Sequence, residues 1–391
     1  VCELREPVEP QLLQAALDKA LERFPMYRSV MKRGWFWYYL EESPLPARVS
    51  SEELPPCYPI YPSVRRGLLF RVLYYRRRIN LEVYHALTDG TGALHFLCAL
   101  VYEYLLLRYE GVFSGSFPAP PYDAAQFQRQ VDSFQKYYEK PSNRFARLSP
   151  PAYQFRGERL PRRQMAVLEG RMPLDQALAC ARERGATLTE LMTAVFLRAI
   201  HDGMRVRDRR KPVVVAVPVN LRNFFPSESA RNFFATINVG YDFSRGADGL
   251  EPVLAEVKRG FQTNLTEERM REHMNRLCAL EHSVPLRLVP LPLKDVILLA
   301  ANRLTARGVT SNIGKVSMPK EMEKLIHFFG AYTSAGKTQA CACSFGGQYV
   351  VSFAGPFRNH ETERVFFKEL SQMGIDVVIT TNLPPGNERG S

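Results

Sequence analysis

Tyr84-His85-Ala86-Leu87-Thr88-Asp89-Gly90-Thr91-Gly92 closes an alternating, strand-like run and opens a long apolar one. Before it, Leu68 to Tyr75 and Ile79 to Tyr84 read as two strands joined by the turn Arg76-Arg77-Arg78. After it, Thr91 to Tyr109 is apolar on nearly every face, the pattern of a helix buried on most sides. A histidine therefore stands at a strand end, and an aspartate and two glycines shape the turn that follows. Imidazole titrates near neutrality, so His85 is a candidate general base toward a hydroxyl or an amine. Asp89 either orients that imidazole or holds the loop. An Asp ahead of a helical run is also an ordinary N-cap, and Gly90 an ordinary turn residue. The strand-then-helix context gives the group its functional reading.

Upstream, Leu12, Leu13, Ala16, Leu17, Ala20, Leu21 and Phe24 form a helical stripe over Pro10 to Phe24, which Pro25 ends. Gly34-Trp35-Phe36-Trp37-Tyr38-Tyr39-Leu40 is β-prone and aromatic, and predicts a strand. Ser43 to Pro62 is Pro-rich and irregular. Downstream, residues 111–165 are rich in Gly, Pro, Ser and aromatics, with one expected helix over Asp123 to Tyr138; they read as the region joining two halves. Strands are expected over Gln164 to Met172, Pro212 to Val219 (a central strand), Phe234 to Phe243, Val309 to Met318, Lys324 to Tyr332 and Asp376 to Thr380. A hairpin over Ala340 to Phe353 turns at Gly346-Gly347. Helices are expected over Leu174 to Arg184, Leu188 to Met204, Glu251 to Leu280, Lys294 to Arg303 and His360 to Met373. This interleaving predicts an α/β protein with mixed sheets in two layered domains, 1–145 and 146–391.

The 391 residues suffice for two cores, and 46% hydrophobic with 24% charged residues is an ordinary globular composition. Seven scattered cysteines (2, 57, 98, 180, 278, 341, 343) include no CxxC and no Cys/His ligand set. They read as free thiols in a reducing cytoplasm, with no metal site. The chain opens Val1-Cys2-Glu3-Leu4 without a Met or a visible signal, so a true start has room to precede it. The longest apolar stretch, Phe96 to Val101 and Leu105 to Leu107, is interrupted by Glu103 and flanked by His95 and Arg108. That falls short of the ~18 uninterrupted apolar residues of a membrane span, and favours a buried helix. The formal charge of +12 is dispersed over Arg65-Arg66, Arg76 to Arg78, Arg156 to Arg163 and Arg205 to Lys211. None of these groups carries the interleaved aromatics or groove-reading motifs of a nucleic-acid binder, whereas a polyphosphate ligand suits one of them. G-x-S-x-G, P-loop and Rossmann fingerprints are absent.

His85-x-x-x-Asp89-Gly90 resembles the active-site motif of the CoA-dependent acyltransferase superfamily, which includes chloramphenicol acetyltransferase, plant BAHD acyltransferases, wax ester synthases, alcohol acetyltransferases and the condensation domains of peptide synthetases. Val217-Pro218-Val219-Asn220-Leu221-Arg222-Asn223, followed by Phe224-Phe225-Pro226 and Arg231-Asn232-Phe233, resembles the strand-end arginine segment of wax ester synthases and BAHD enzymes. That resemblance implies an Arg222–Asp89 pair, a planar cation clamping a carboxylate; by itself the segment also fits an arginine capping a strand into solvent. Thr310-Ser311-Asn312-Ile313-Gly314 is similar to the Ser-Asn-x-Gly segment of the alcohol acetyltransferase and wax ester synthase branch, and the BAHD Asp-Phe-Gly-Trp-Gly is missing.

The resemblance implies two chloramphenicol acetyltransferase-like domains with a tunnel between them and His85 at its middle. His85 is then the catalytic base, Asp89 is architectural, and Gly90 lets the backbone pass closely and keeps a side chain out of the channel. Ser311 and Asn312 are implied as donors to a tetrahedral oxyanion or as holders of the acyl chain's end. Acyl-CoA is the implied co-substrate, with an alcohol or amine acceptor, no metal and a monomeric protein. The second histidine of condensation domains is Tyr84 here, which disfavours a carrier-protein donor without removing it. An antibiotic acetyltransferase and a non-catalytic binding member of the fold are two further readings. Trp35, Trp37, Phe224, Phe225, Phe233 and Phe234 suggest an apolar channel or a core, and His95 reads as a core histidine.

Overall fold

The computed structural model describes residues 1–60, 67–113, 133–139, 152–226, 232–304, 308–333 and 336–383. Of the expected helix over 123–138, the described part is the single turn Ser133–Lys136, and Arg65, Arg66 and Arg231 lie outside the described residues.

The first half contributes β1 (Cys2–Leu4), α1 (Pro10–Arg23), β2 (Ser29–Arg33), β3 (Tyr38–Glu42), β4 (Val49–Ser51), β5 (Phe70–Tyr75), β6 (Arg78–Val83) and α2 (Gly90–Arg108). α1 buries Leu13, Ala16, Leu17, Ala20 and Leu21, the stripe legible in its spacing. α2 has the length and composition of a membrane-crossing helix. Here it packs against α1 as a core helix, with Phe96 through Tyr102 all buried. The aromatic run 34–40 corrects the expectation of one strand: Gly34 and Trp37 close a tight turn, Gly34 N donating to Trp37 O at 2.9 Å, and β2 and β3 form a hairpin around it.

After α3 (Ser133–Lys136), the second half runs β7 (Ala166–Pro173), α4 (Leu174–Glu183), α5 (Leu188–Asp202), β8 (Val213–Asn220), β9 (Phe234–Tyr241), α6 (Leu250–Asn264), α7 (Glu267–His282), α8 (Val284–Leu288) and α9 (Leu291–Leu304). It continues with β10 (Gly308–Lys315), α10 (Lys320–Glu323), β11 (Ile326–Phe329), β12 (Gln339–Phe345), β13 (Gln348–Gly355), α11 (Glu361–Gln372) and β14 (Val378–Thr381). α5 starts on a reciprocal cap, in which the Thr187 hydroxyl accepts from Glu190 N and the Glu190 carboxylate accepts from Thr187 N. β12 and β13 turn on Gly346 and Gly347, both at positive φ, where glycine has no steric penalty.

Two main sheets result, with strand orders β11-β1-β6-β5-β4 and β14-β7-β13-β12-β10-β8-β9. The first is not built from residues 1–145 alone. β11 lies antiparallel to β1 as its edge strand, and Val316, Met318, Met322, Ile326, Phe328 and Phe329 join the first-half core. β8 lies between β10 and β9, but its burial alternates at Val213, Val215 and Val217 instead of running continuously. Its parallel register with β10 covers only Val215 and Ala216. The turn after β6 meets both strands here, Gly90 lying beside Ile313 of β10 and Asp89 bonding Arg222 just past β8.

Candidate active site

Asp89 is the N-cap of α2, and its backbone is extended while its Oδ1 accepts from Gly92 N at 2.9 Å. Its other oxygen accepts from Arg222 Nη1 at 2.9 Å and from Phe233 N at 3.1 Å. The carboxylate is buried and fully engaged by three donors, two of them from the second half of the chain. Arg222 is itself oriented: Asn220 Oδ1 accepts from its backbone N at 3.0 Å and from Nη1 at 3.2 Å. The implied Arg222–Asp89 pair is thus present, and it turns Asp89 toward the second half.

Four residues earlier, His85 stands exposed in the turn that follows β6. The backbone holds it on both sides: Tyr84 N donates to Leu69 O at 2.7 Å, and Leu87 N donates to Tyr84 O at 2.9 Å. From the second half, Asn232 Nδ2 donates to the His85 carbonyl at 2.9 Å, and the Phe234 ring lies 5.6 Å from the imidazole. Turning the Asn232 amide over would set its oxygen against that carbonyl, so the contact fixes its orientation. Neither Asn232 nor the Phe233 amide had an individual signal in the sequence. Their only cue was their place after the Arg222 segment, and a backbone N–H carries no residue signature.

Gly90 lies beside β10. A Cβ added there would meet only the Ile313 side chain, at 3.8 Å, which is ordinary contact. Close backbone passage is therefore not what this glycine serves. β10 carries an irregularity between Asn312 and Gly314, whose φ is +91°. Asn312 supports it, accepting from Gly314 N at 3.0 Å and donating through Nδ2 to Thr189 Oγ1 at 2.9 Å. The Asn312 amide thereby ties β10 to the start of α5 through one of its two N–H groups. Ser311 lines a small pocket with Thr189, Met192, Tyr349 and Phe366.

His95, read from the sequence as a core histidine, stands next to the clamp electrostatically. Burial, reinforced by the Arg222 guanidinium, pushes its imidazole down to about 4. The six aromatics do not form one channel. Phe225 and Phe233 are in the second-half core and only Phe234 reaches His85, whereas Trp35 and Trp37 lie exposed on the β2–β3 hairpin.

No protein-family profile and no curated protein matches this sequence. Solved structures resemble it at low identity over nearly its whole length. Polyketide synthase associated protein 5 from Mycobacterium tuberculosis is 15% identical, with a TM-score of 0.59 over 94% of this chain and 91% of that one. The epimerization domain from the third module of tyrocidine synthetase B is 12% identical, with a TM-score of 0.60 over 95% and 89%. TRI101 from F. sporotrichioides, solved with coenzyme A and T-2, is 11% identical, with a TM-score of 0.60 over 95% and 94%. The fold is the one these proteins share.

Proposed function

We propose that this chain, whose fold is the chloramphenicol acetyltransferase-like one of condensation domains and CoA-linked acyltransferases, moves an acyl group from acyl-CoA to a hydroxyl or amine acceptor. One observation carries the reading. Within a single turn the carboxylate is occupied by Gly92, Arg222 and Phe233, while the imidazole four residues away is left facing solvent. Such a turn presents a base and holds it by its backbone.

His85 takes the proton of the acceptor as its oxygen or nitrogen attacks the thioester carbonyl. The tetrahedral intermediate then collapses, the carbon–sulfur bond breaks, and His85 returns the proton to the departing thiolate. Asp89 touches no reacting atom, and its work is architectural. Ser311 and Asn312, whose amide has a second N–H beside the one given to Thr189, are the candidates for oxyanion donors.

A carrier-protein-bound donor is the second reading. A cationic face at the start of β8 is compatible with it, where Arg156 and Arg207 stand near Asp208 and Lys211 donates to that carboxylate at 2.6 Å. Such a face suits an acidic protein as well as CoA phosphates.

Thiol release from acetyl-CoA and longer acyl-CoAs, measured with a panel of alcohols and amines, tests the reading. Release is expected to require an acceptor and to fall about 10²–10⁴-fold in His85→Ala with the fold intact. Equal rates in wild type and His85→Ala would sink the mechanism. Acylation from a loaded carrier protein but from no CoA donor would assign the second reading.

A further inference from the structure

We propose that α9 and the β2–β3 hairpin form a surface that seats on an anionic lipid bilayer. The inference rests on a part of the molecule that the catalytic reading does not use. On α9, Val296, Ile297, Leu298 and Leu299 are exposed by 63%, 48%, 63% and 53%. Successive residues of an α-helix point about 100° apart, so four in a row face most of its circumference. A rigid protein partner covers one face of a helix; a fluid headgroup and acyl-chain boundary closes around it.

The hairpin supplies the rings that favour such a boundary, with Trp35, Trp37 and Tyr39 all exposed, Trp35 by 88%. It is fastened to α9 by polar contacts, one of them through a buried lysine. Leu291 N donates to Trp35 O at 3.1 Å, and the Tyr38 hydroxyl donates to Asp295 Oδ2 at 2.9 Å. Lys294, itself buried, donates to Phe36 O at 2.9 Å and holds its ammonium 3.6 Å from the centre of the Trp37 ring. Of the ionisable side chains of 291–299, Lys294 is buried under the hairpin and Asp295 is half-buried against Tyr38, and the exposed side chains of this stretch are otherwise apolar. Val284 and Leu288 extend it from α8, exposed by 65% and 66%. Exposed Arg33 and Arg287 flank it, and the +12 chain is drawn toward an anionic surface before any apolar side chain enters.

Trp35 and Trp37 are the only tryptophans of the chain, so tryptophan emission reports the hairpin alone. With extruded vesicles of phosphatidylcholine and phosphatidylglycerol, the emission is expected to shift blue, brominated acyl chains to quench it, and the protein to sediment with the vesicles. The double variant Val296→Asp/Leu298→Asp is expected to lower partition at least tenfold while leaving circular dichroism and thiol release as in wild type. Trp35→Ala is expected to lower it by less, and salt to weaken binding. Unshifted emission without sedimentation, or undiminished partition of the double variant, would overturn the proposal. A concentration-dependent dimer in light scattering that the double variant dissolves, with no vesicle binding, would give the surface to a second copy of the chain.

Discussion

Two of the seams between the halves of this chain close on a cation, half-buried Arg222 at one and buried Lys294 at the other. At the first, Arg222 meets the Asp89 carboxylate at 2.9 Å and the pair is wrapped by Phe233 N and Gly92 N. At the second, Lys294 meets a ring face and a backbone carbonyl, with no carboxylate against its ammonium among the described residues. The first seam points its polar groups at one another around a turn and leaves His85 free to act. The second hides its lysine beneath a hairpin and leaves apolar side chains outside. A cation facing a buried anion commits both; a cation facing a π-system and a carbonyl leaves no counter-charge behind when it is removed.

Deleting each cation tests this contrast most severely. Arg222→Met strands Asp89 in a buried site and is expected to destabilise the fold by about 3–5 kcal/mol in urea melts. Asp89→Ala belongs to the same range, with activity falling alongside stability as the turn loosens.

Next in size is a pH effect at the first seam. His95 is held near 4 when folded and returns to about 6.5 when unfolded, so below 6.5 the unfolded chain takes up a proton that the native state refuses. Its contribution is whole above pH 6.5 and is lost as pH falls toward 4, on the order of 2–3 kcal/mol. His95→Gln should flatten that limb of the stability–pH curve, and an unchanged curve would remove His95 from the seam's electrostatics.

Smallest is Lys294→Met, expected to cost about 1 kcal/mol, because it loses one hydrogen bond and one cation–π contact but strands no charge. If Lys294→Met and Arg222→Met proved equally costly, the distinction between the seams would fail.

Much of this was legible in the chain itself. Periods of 3.6 and 2 gave α1, α5 and the β5–β6 pair, because one buried face imposes its spacing on any helix or strand, and all-round apolarity gave α2. The motif around His85, and the arginine at the end of β8, pointed to the pair that the structure contains. The aromatic run 34–40 misled because β-propensity reports side-chain fit to a pleated surface and is silent on a turn closed by the backbone of Gly34 and Trp37. Asn312 shows a related limit: an amide's partners are chosen by its neighbours in space, here Thr189 and Gly314.

The order of residues alone, then, settled the longer helices and strands and that a histidine and an aspartate share one turn between strand and helix. Tertiary contacts were needed for the rest: that residues 326–329 complete the first sheet, that Phe233 N and Asn232 grip the His85 turn, and that the tryptophans face outward over α9. The division has a physical cause. Local periodicity encodes that a face is to be buried, but what buries it is settled by contacts between residues more than a hundred positions apart, many made through backbone groups that every residue carries alike.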